Sequence, residues 1–149
     1  MVDANLPKAN LAQATLSDTT GSDVNLADAT MADVVMLAAD FQGADLSDAD
    51  LTRAQLGAAN LGEVNFAKAN LDGASLPNAV LTAAMLTDAT LTLADLAGAD
   101  LSDADLTGAN LSGADLTGAT LTGAKVSGVN WSDTTCPDES QGSDQNPCG

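Results

Sequence analysis

The chain has 149 residues, enough for one domain and too few for two comfortable ones. It is 45% apolar but only 2% aromatic and contains no histidine, which removes His-based nucleophile pairs and His metal ligands. Twenty-one acids against four bases give a formal charge of −17, which excludes direct binding to nucleic acid or an anionic membrane surface.

The first residues, Met1-Val2-Asp3-Ala4-Asn5, have neither the basic segment nor the apolar core of a signal peptide. From Leu6 to Trp131 the chain repeats every five residues. An apolar residue occupies 25 of 26 centres, and only Gly21 breaks the series. Two residues before each centre stands Ala in 21 of the 26 quintets, and between them lies Asn or Asp in 15. Ala and Leu favour helix, but a five-residue step turns about 140° around a helix axis and scatters the centres over every side. In an extended segment residues two apart share a face, so the quintet reads in-out-in-out-out, a very short strand plus a corner. The second corner residue is Gly, Asp or Asn in 16 of 25 quintets, the residues that tolerate φ > 0, while Pro7 and Pro77 hold the first corner position. Along the way the longest apolar run, residues 34–39, is far below the roughly 20 residues that cross a bilayer, so no membrane span is expected.

Tandem quintets such as Ala44-Asp45-Leu46-Ser47-Asp48 and Ala109-Asn110-Leu111-Ser112-Gly113 resemble the A(D/N)LXX motif of the pentapeptide repeat family over residues 4 to 131. The resemblance implies an all-β fold, a right-handed quadrilateral β-helix with four quintets per coil. The 26 quintets would then form about six and a half coils. At about 4.8 Å per stacked strand the rod would be roughly 31 Å long.

In such a coil, residues 20 apart stack. Lys8 then meets Asp28, Arg53 meets Asp33, Lys68 lies between Asp48 and Asp88, and Lys125 meets Asp105. Gly21 stacks beside Phe41: either the Phe41 ring leans into the space the glycine leaves, or Gly21 marks a frayed first coil with no core there. Phe41, Phe66 and Trp131 all hold inward centres, leaving no exposed aromatic platform for a sugar. Val35, Leu37, Val80, Met85 and Leu93 take outward positions, on different faces. Paired acids such as Asp45 with Asp48, or Asp100 with Asp103, read as a solvated acidic face. No catalytic, cofactor or specific metal site is expected. Asp95 stacked on Asp115, and the tail acids Asp133, Asp138, Glu139 and Asp144, would attract hard cations diffusely.

Residues 132–149 read as a tail following a β-helix of residues 1–131, with Trp131 as the last centre and a cap on the column beneath it. Cys136 and Cys148 lie in Pro-, Ser- and Asp-rich sequence. They read as a disulfide-closed loop in an oxidising compartment, or as two free thiols in a reducing cytosol. The tail resembles those of exported bacterial pentapeptide repeat proteins. That reading places the protein in a periplasm, thylakoid lumen or extracellular space, its signal peptide absent from this chain; free cysteines would make it cytoplasmic. The N-terminal coil has no comparable cover, leaving that end open to end-to-end self-association. The function expected is a non-enzymatic structural or protein-interaction solenoid with an unidentified protein partner. The alternative, implied by quinolone-resistance members of the family, is a DNA-mimicking inhibitor or protector of a type II topoisomerase.

Overall fold

A chain whose apolar residues recur every five positions can bury them all only by turning a corner in every quintet and closing on itself. The computed structural model, which describes residues 1–143 and Cys148, does so with a fixed register. Every bridge from Asn5↔Asn25 to Asp115↔Thr135 is parallel and joins residues 20 apart. Four quintets therefore complete one circuit of a β-solenoid. Each quintet contributes a single bridge residue instead of the short strand expected, because the corner takes up the rest of its length.

The quintet of residues 44–48 shows how the backbone is satisfied. Asp45 N–H donates to Val24 O in the preceding circuit (2.9 Å), and Leu46 and Asp48 donate to Asn65 O (2.8 Å) and Ala67 O (2.9 Å) in the next. Ala49 N–H closes the corner on Leu46 O (3.2 Å). One N–H is left over, that of Ser47, and it donates to the carboxylate of Asp45 two residues earlier (3.1 Å). The same bond recurs at Ala27 to Asn25, Ala67 to Asn65, Ala97 to Asp95 and Ser132 to Asn130. Asn and Asp thus precede the centre because a short side-chain oxygen there accepts the donor that stacking cannot reach. Proline fits the first corner position for the complementary reason: Pro7 and Pro77 lack the N–H that would need an acceptor.

The second corner residue has φ > 0 throughout, the requirement of a type II turn. Ala38, Ala58, Ala83 and Leu93 adopt it without being Gly, Asn or Asp, at φ of 52° to 57°. The fixed ladder imposes it on them.

Inward-facing Ala and Leu fill the axis from Val24 to Leu116. The first circuit is more open: Leu6 is 38% exposed, whereas Leu26 directly above it is fully buried.

At the C-terminal end the repeat frame continues one quintet beyond Trp131. Thr134 is buried in the small-residue position, its hydroxyl donating to Leu111 O (2.8 Å); Thr135 bridges Asp115, and Cys136 holds a buried centre. The sequence boundary after residue 131 therefore falls inside the ladder, and Trp131 is not the last centre. The frame was hidden because Thr and Cys replace Ala and Leu there. The chain then folds back. Thr135 pairs antiparallel with Gln141, Cys136 N–H donates to Ser140 O (2.8 Å), and Gly142 N–H donates to Thr134 O (2.8 Å). These are the upward-facing groups that a further circuit would otherwise satisfy.

Candidate interaction surface

With the interior filled, the chemistry available to a partner lies in the outward positions: the residue before each centre and the two corner residues. Stacking at 20-residue intervals turns these positions into columns. Asn60 Nδ2 donates to Asp40 Oδ1 and Asn65 Nδ2 to Asp45 Oδ1, both at 2.9 Å, and Asn130 donates to Asn110 (3.0 Å). Polar ladders therefore run along the outside as the apolar ones run within.

Two of the four register-matched ion pairs form. Arg53 makes a bidentate contact with Asp33, Nε to Oδ1 and Nη2 to Oδ2 at 2.8 Å each, and Lys125 Nζ lies 3.0 Å from Asp105 Oδ2. Lys8 does not pair with Asp28, nor Lys68 with Asp48 or Asp88. All are surface groups, where the entropy of fixing a long lysine chain offsets a weak solvated attraction.

A few carboxylates of this surface are held below their ordinary range by local donors. The Thr107 hydroxyl, followed by the Lys125 ammonium and the Thr107 N–H, lowers Asp105 to about 2. The Ser102 hydroxyl and N–H depress Asp100, and the Thr117 hydroxyl and N–H depress Asp115. Arg53 lowers Asp33 chiefly through its hydrogen bond. Asp95 bridges Asp115 one circuit away, but each carboxylate accepts its own corner N–H, at 3.1 Å and 2.8 Å. Among the described residues no group of three or more acids converges as a metal site would require. Asp144 of the tail lies outside the described residues.

The remaining residues singled out from the sequence are structural. Gly21 faces the Phe41 ring so closely that a Cβ built on it would lie 2.5 Å from Cε1. Phe66 is fully buried and Trp131 is 2% exposed. Cys136 and Cys148 form a disulfide, with Cα atoms 5.1 Å apart. Gly142 lies against it: an added Cβ would approach Cys148 Sγ to 2.7 Å and Cys136 Sγ to 3.2 Å. Sequence reasoning missed the role of the pre-centre Asn and Asp as backbone acceptors. Their frequency was visible, but the donor they serve appears only once the register shows which N–H groups the ladder uses.

The family model for pentapeptide repeats matches residues 22–57, 59–98 and 94–133, in eight copies. Thirty-three solved chains match at a significant level. A trypsin-treated form of QnrB1, a plasmid-mediated fluoroquinolone resistance protein, superposes with a TM-score of 0.60 at 19% identity, covering 89% of this chain and 68% of its own. A pentapeptide repeat protein from Nostoc is 41% identical over 57% of this chain and 68% of its own, with a TM-score of 0.42. One from the Arabidopsis thaliana thylakoid lumen is 34% identical over 65% and 71%, with a TM-score of 0.41. Among curated proteins none matches at a significant level.

Proposed function

Because the chain belongs to the pentapeptide repeat family, we propose that it is a non-enzymatic solenoid that serves as a structural or protein-interaction module in an oxidising, extracytoplasmic compartment. In this reading the solenoid is a right-handed, four-sided rod of about six and a half coils, roughly 31 Å long at about 4.8 Å per coil. Trp131 and the folded-back tail serve as its C-terminal cap. The observation that carries the functional reading is the filled axis: Ala and Leu side chains occupy it from Val24 to Leu116, so partners are met on the outer columns. The Cys136–Cys148 bond supports the compartment, since disulfides persist where thiols are not kept reduced. The partially exposed Leu6, Leu11 and Leu16 of the first circuit extend the same reading to end-to-end self-association. The likeness to QnrB1, at 19% identity, supports the fold and leaves topoisomerase protection as the alternative.

Fractionation of the native host followed by non-reducing peptide mapping tests the proposal. The expected result is an intact Cys136–Cys148 cross-link in an extracytoplasmic fraction; free thiols in the cytosol would overturn it. Supercoiling assays separate the two roles. The oxidised protein is expected to leave DNA gyrase unaffected, because its acids spread over all four sides; salt-sensitive inhibition at sub-micromolar concentration would promote the alternative.

A further inference from the structure

The Asn or Asp that precedes 15 of the 26 centres satisfies a backbone N–H that the ladder itself leaves over, and at two successive quintets a large apolar side chain takes its place. Val80 and Met85 hold this position on successive sides of one circuit. The N–H groups of Thr82 and Thr87 consequently have no acceptor like the one Asp45 offers Ser47. Neither apolar side chain packs into the fold in exchange: Val80 is 40% exposed and Met85 46%. An Asn at either site would serve the solenoid better.

The two columns that contain them have the same order. One reads Asp40, Asn60, Val80, Asp100, and the next Asp45, Asn65, Met85, Asp105. In each, the Asn donates down to its Asp at 2.9 Å, so the polar ladder stops below the apolar residue and resumes above it with a carboxylate. The corner between the columns carries Thr82 and the exposed Ala83, and no charged residue occurs between Asp72 and Asp88. One circuit above lie Asp100 and Asp103; one circuit below the same corner is Glu63. At about 4.8 Å per circuit, the acids above and below this apolar corner are roughly 10 Å apart. Leu93, the most exposed of the large apolar side chains among the described residues, sits half a circuit away and turns over Gly113.

We propose that Val80, Ala83 and Met85 form a seat for a cationic amphipathic protein segment. Its apolar side chains would cover Val80 and Met85, and its Lys or Arg residues would reach Asp100 and Asp103 on one side and Glu63 on the other. Charge complementarity selects this occupant, since a second copy of a chain with net charge −17 would bring acids against acids. The inference deepens the proposed interaction role and rests on it.

The test uses the oxidised full chain and two synthetic peptides of equal length and lysine content, one interleaved with leucine and the other with serine, titrated calorimetrically at physiological ionic strength. Wild type is expected to bind the Lys/Leu peptide about tenfold more tightly or better, with amide shifts concentrated at residues 80–85 and 100–103. The double substitution V80N/M85N, which restores the residue type the position carries elsewhere, should erase that preference and leave Lys/Ser affinity unchanged. L93S should keep it. A preference that survives V80N/M85N, or is lost in L93S, places the seat elsewhere and sinks this inference alone. Equal binding of both peptides by wild type also refutes the seat, whereas the broader role is judged separately, by the thiol mapping and the supercoiling assay.

Discussion

The Phe41 ring occupies the volume that a side chain on Gly21 would need: an added Cβ would lie within 2.9 Å of three of its ring carbons. The missing centre and the bulkiest residue of its column therefore compensate each other across one circuit. Replacing Gly21 by Leu should destabilise the protein by about 1–3 kcal/mol through overpacking. Denaturant titration checks this, and adding Phe41→Leu should recover part of the loss. An unchanged midpoint for Gly21→Leu alone would show that the ring is free to move away.

Acid sensitivity should be traceable to Asp105. Its folded value is about 2 against an ordinary 3.8, so its ionised form stabilises the fold above roughly pH 4, and that contribution disappears as pH falls through about 2. The stability difference between wild type and Asp105→Asn should therefore be constant from neutrality to about pH 4 and shrink below it. Carbon-detected carboxyl titration provides a direct reading. Thr107→Val should raise the Asp105 midpoint more than Lys125→Met does, because the Thr107 hydroxyl is the principal donor.

The tail should separate from the rod when its cross-link is lost. A disulfide joining residues 12 apart stabilises by about 3 kcal/mol on loop-entropy grounds. In Cys148→Ser, amide exchange should accelerate at Cys136 and Gly142, whose N–H groups bond to Ser140 O and Thr134 O. Leu71 and Leu76, deep in the ladder, should retain their protection. Acceleration throughout the chain would instead mean that the tail governs global stability.

Corners offer stabilising substitutions. Ala58 has φ +54°, a left-handed conformation disfavoured for any residue with a Cβ. Ala58→Gly should raise stability by about 0.5–1 kcal/mol, the reverse of its effect in a helix. Gly118→Ala isolates the same term, since nothing lies within 4 Å of the added Cβ. It should lower stability by about 1 kcal/mol, and thermal melts of both variants, moving in opposite directions, would establish the backbone as the cause.

The sequence made the five-residue frame, the inward Ala and Leu and the corner conformation legible, because each is a local rule repeated many times; the cysteine tail stood out for the opposite reason, its composition breaking the repeat. What it concealed depended on what stacks on what. Asn and Asp were visible as a preference, but Ser47 N–H becomes their evident target only when the ladder has claimed the other four donors of the quintet. Cys136 looked like tail because Thr134 is polar, yet its hydroxyl reaches Leu111 O and so enters the core at little cost. Lys8 and Lys68 were placed beside acids by register; proximity in a column does not fix a flexible, solvated side chain. Val80 and Met85 lie on successive faces of one circuit, as the sequence placed them; that these two faces share a corner follows only from the four-quintet circuit.

The unbroken 20-residue register also sets how the molecule would respond to force. Each parallel bridge joins a residue only to those 20 before and 20 after it, so tension applied to the two ends has no long-range tie to overcome before the terminal circuits peel. A released circuit replaces about 4.8 Å of rod with 20 residues of extended chain, roughly 66–72 Å. The protein would therefore lengthen by increments, one circuit at a time. At the N-terminal end its weakly buried first coil would give way early, while the closed tail loop holds the other.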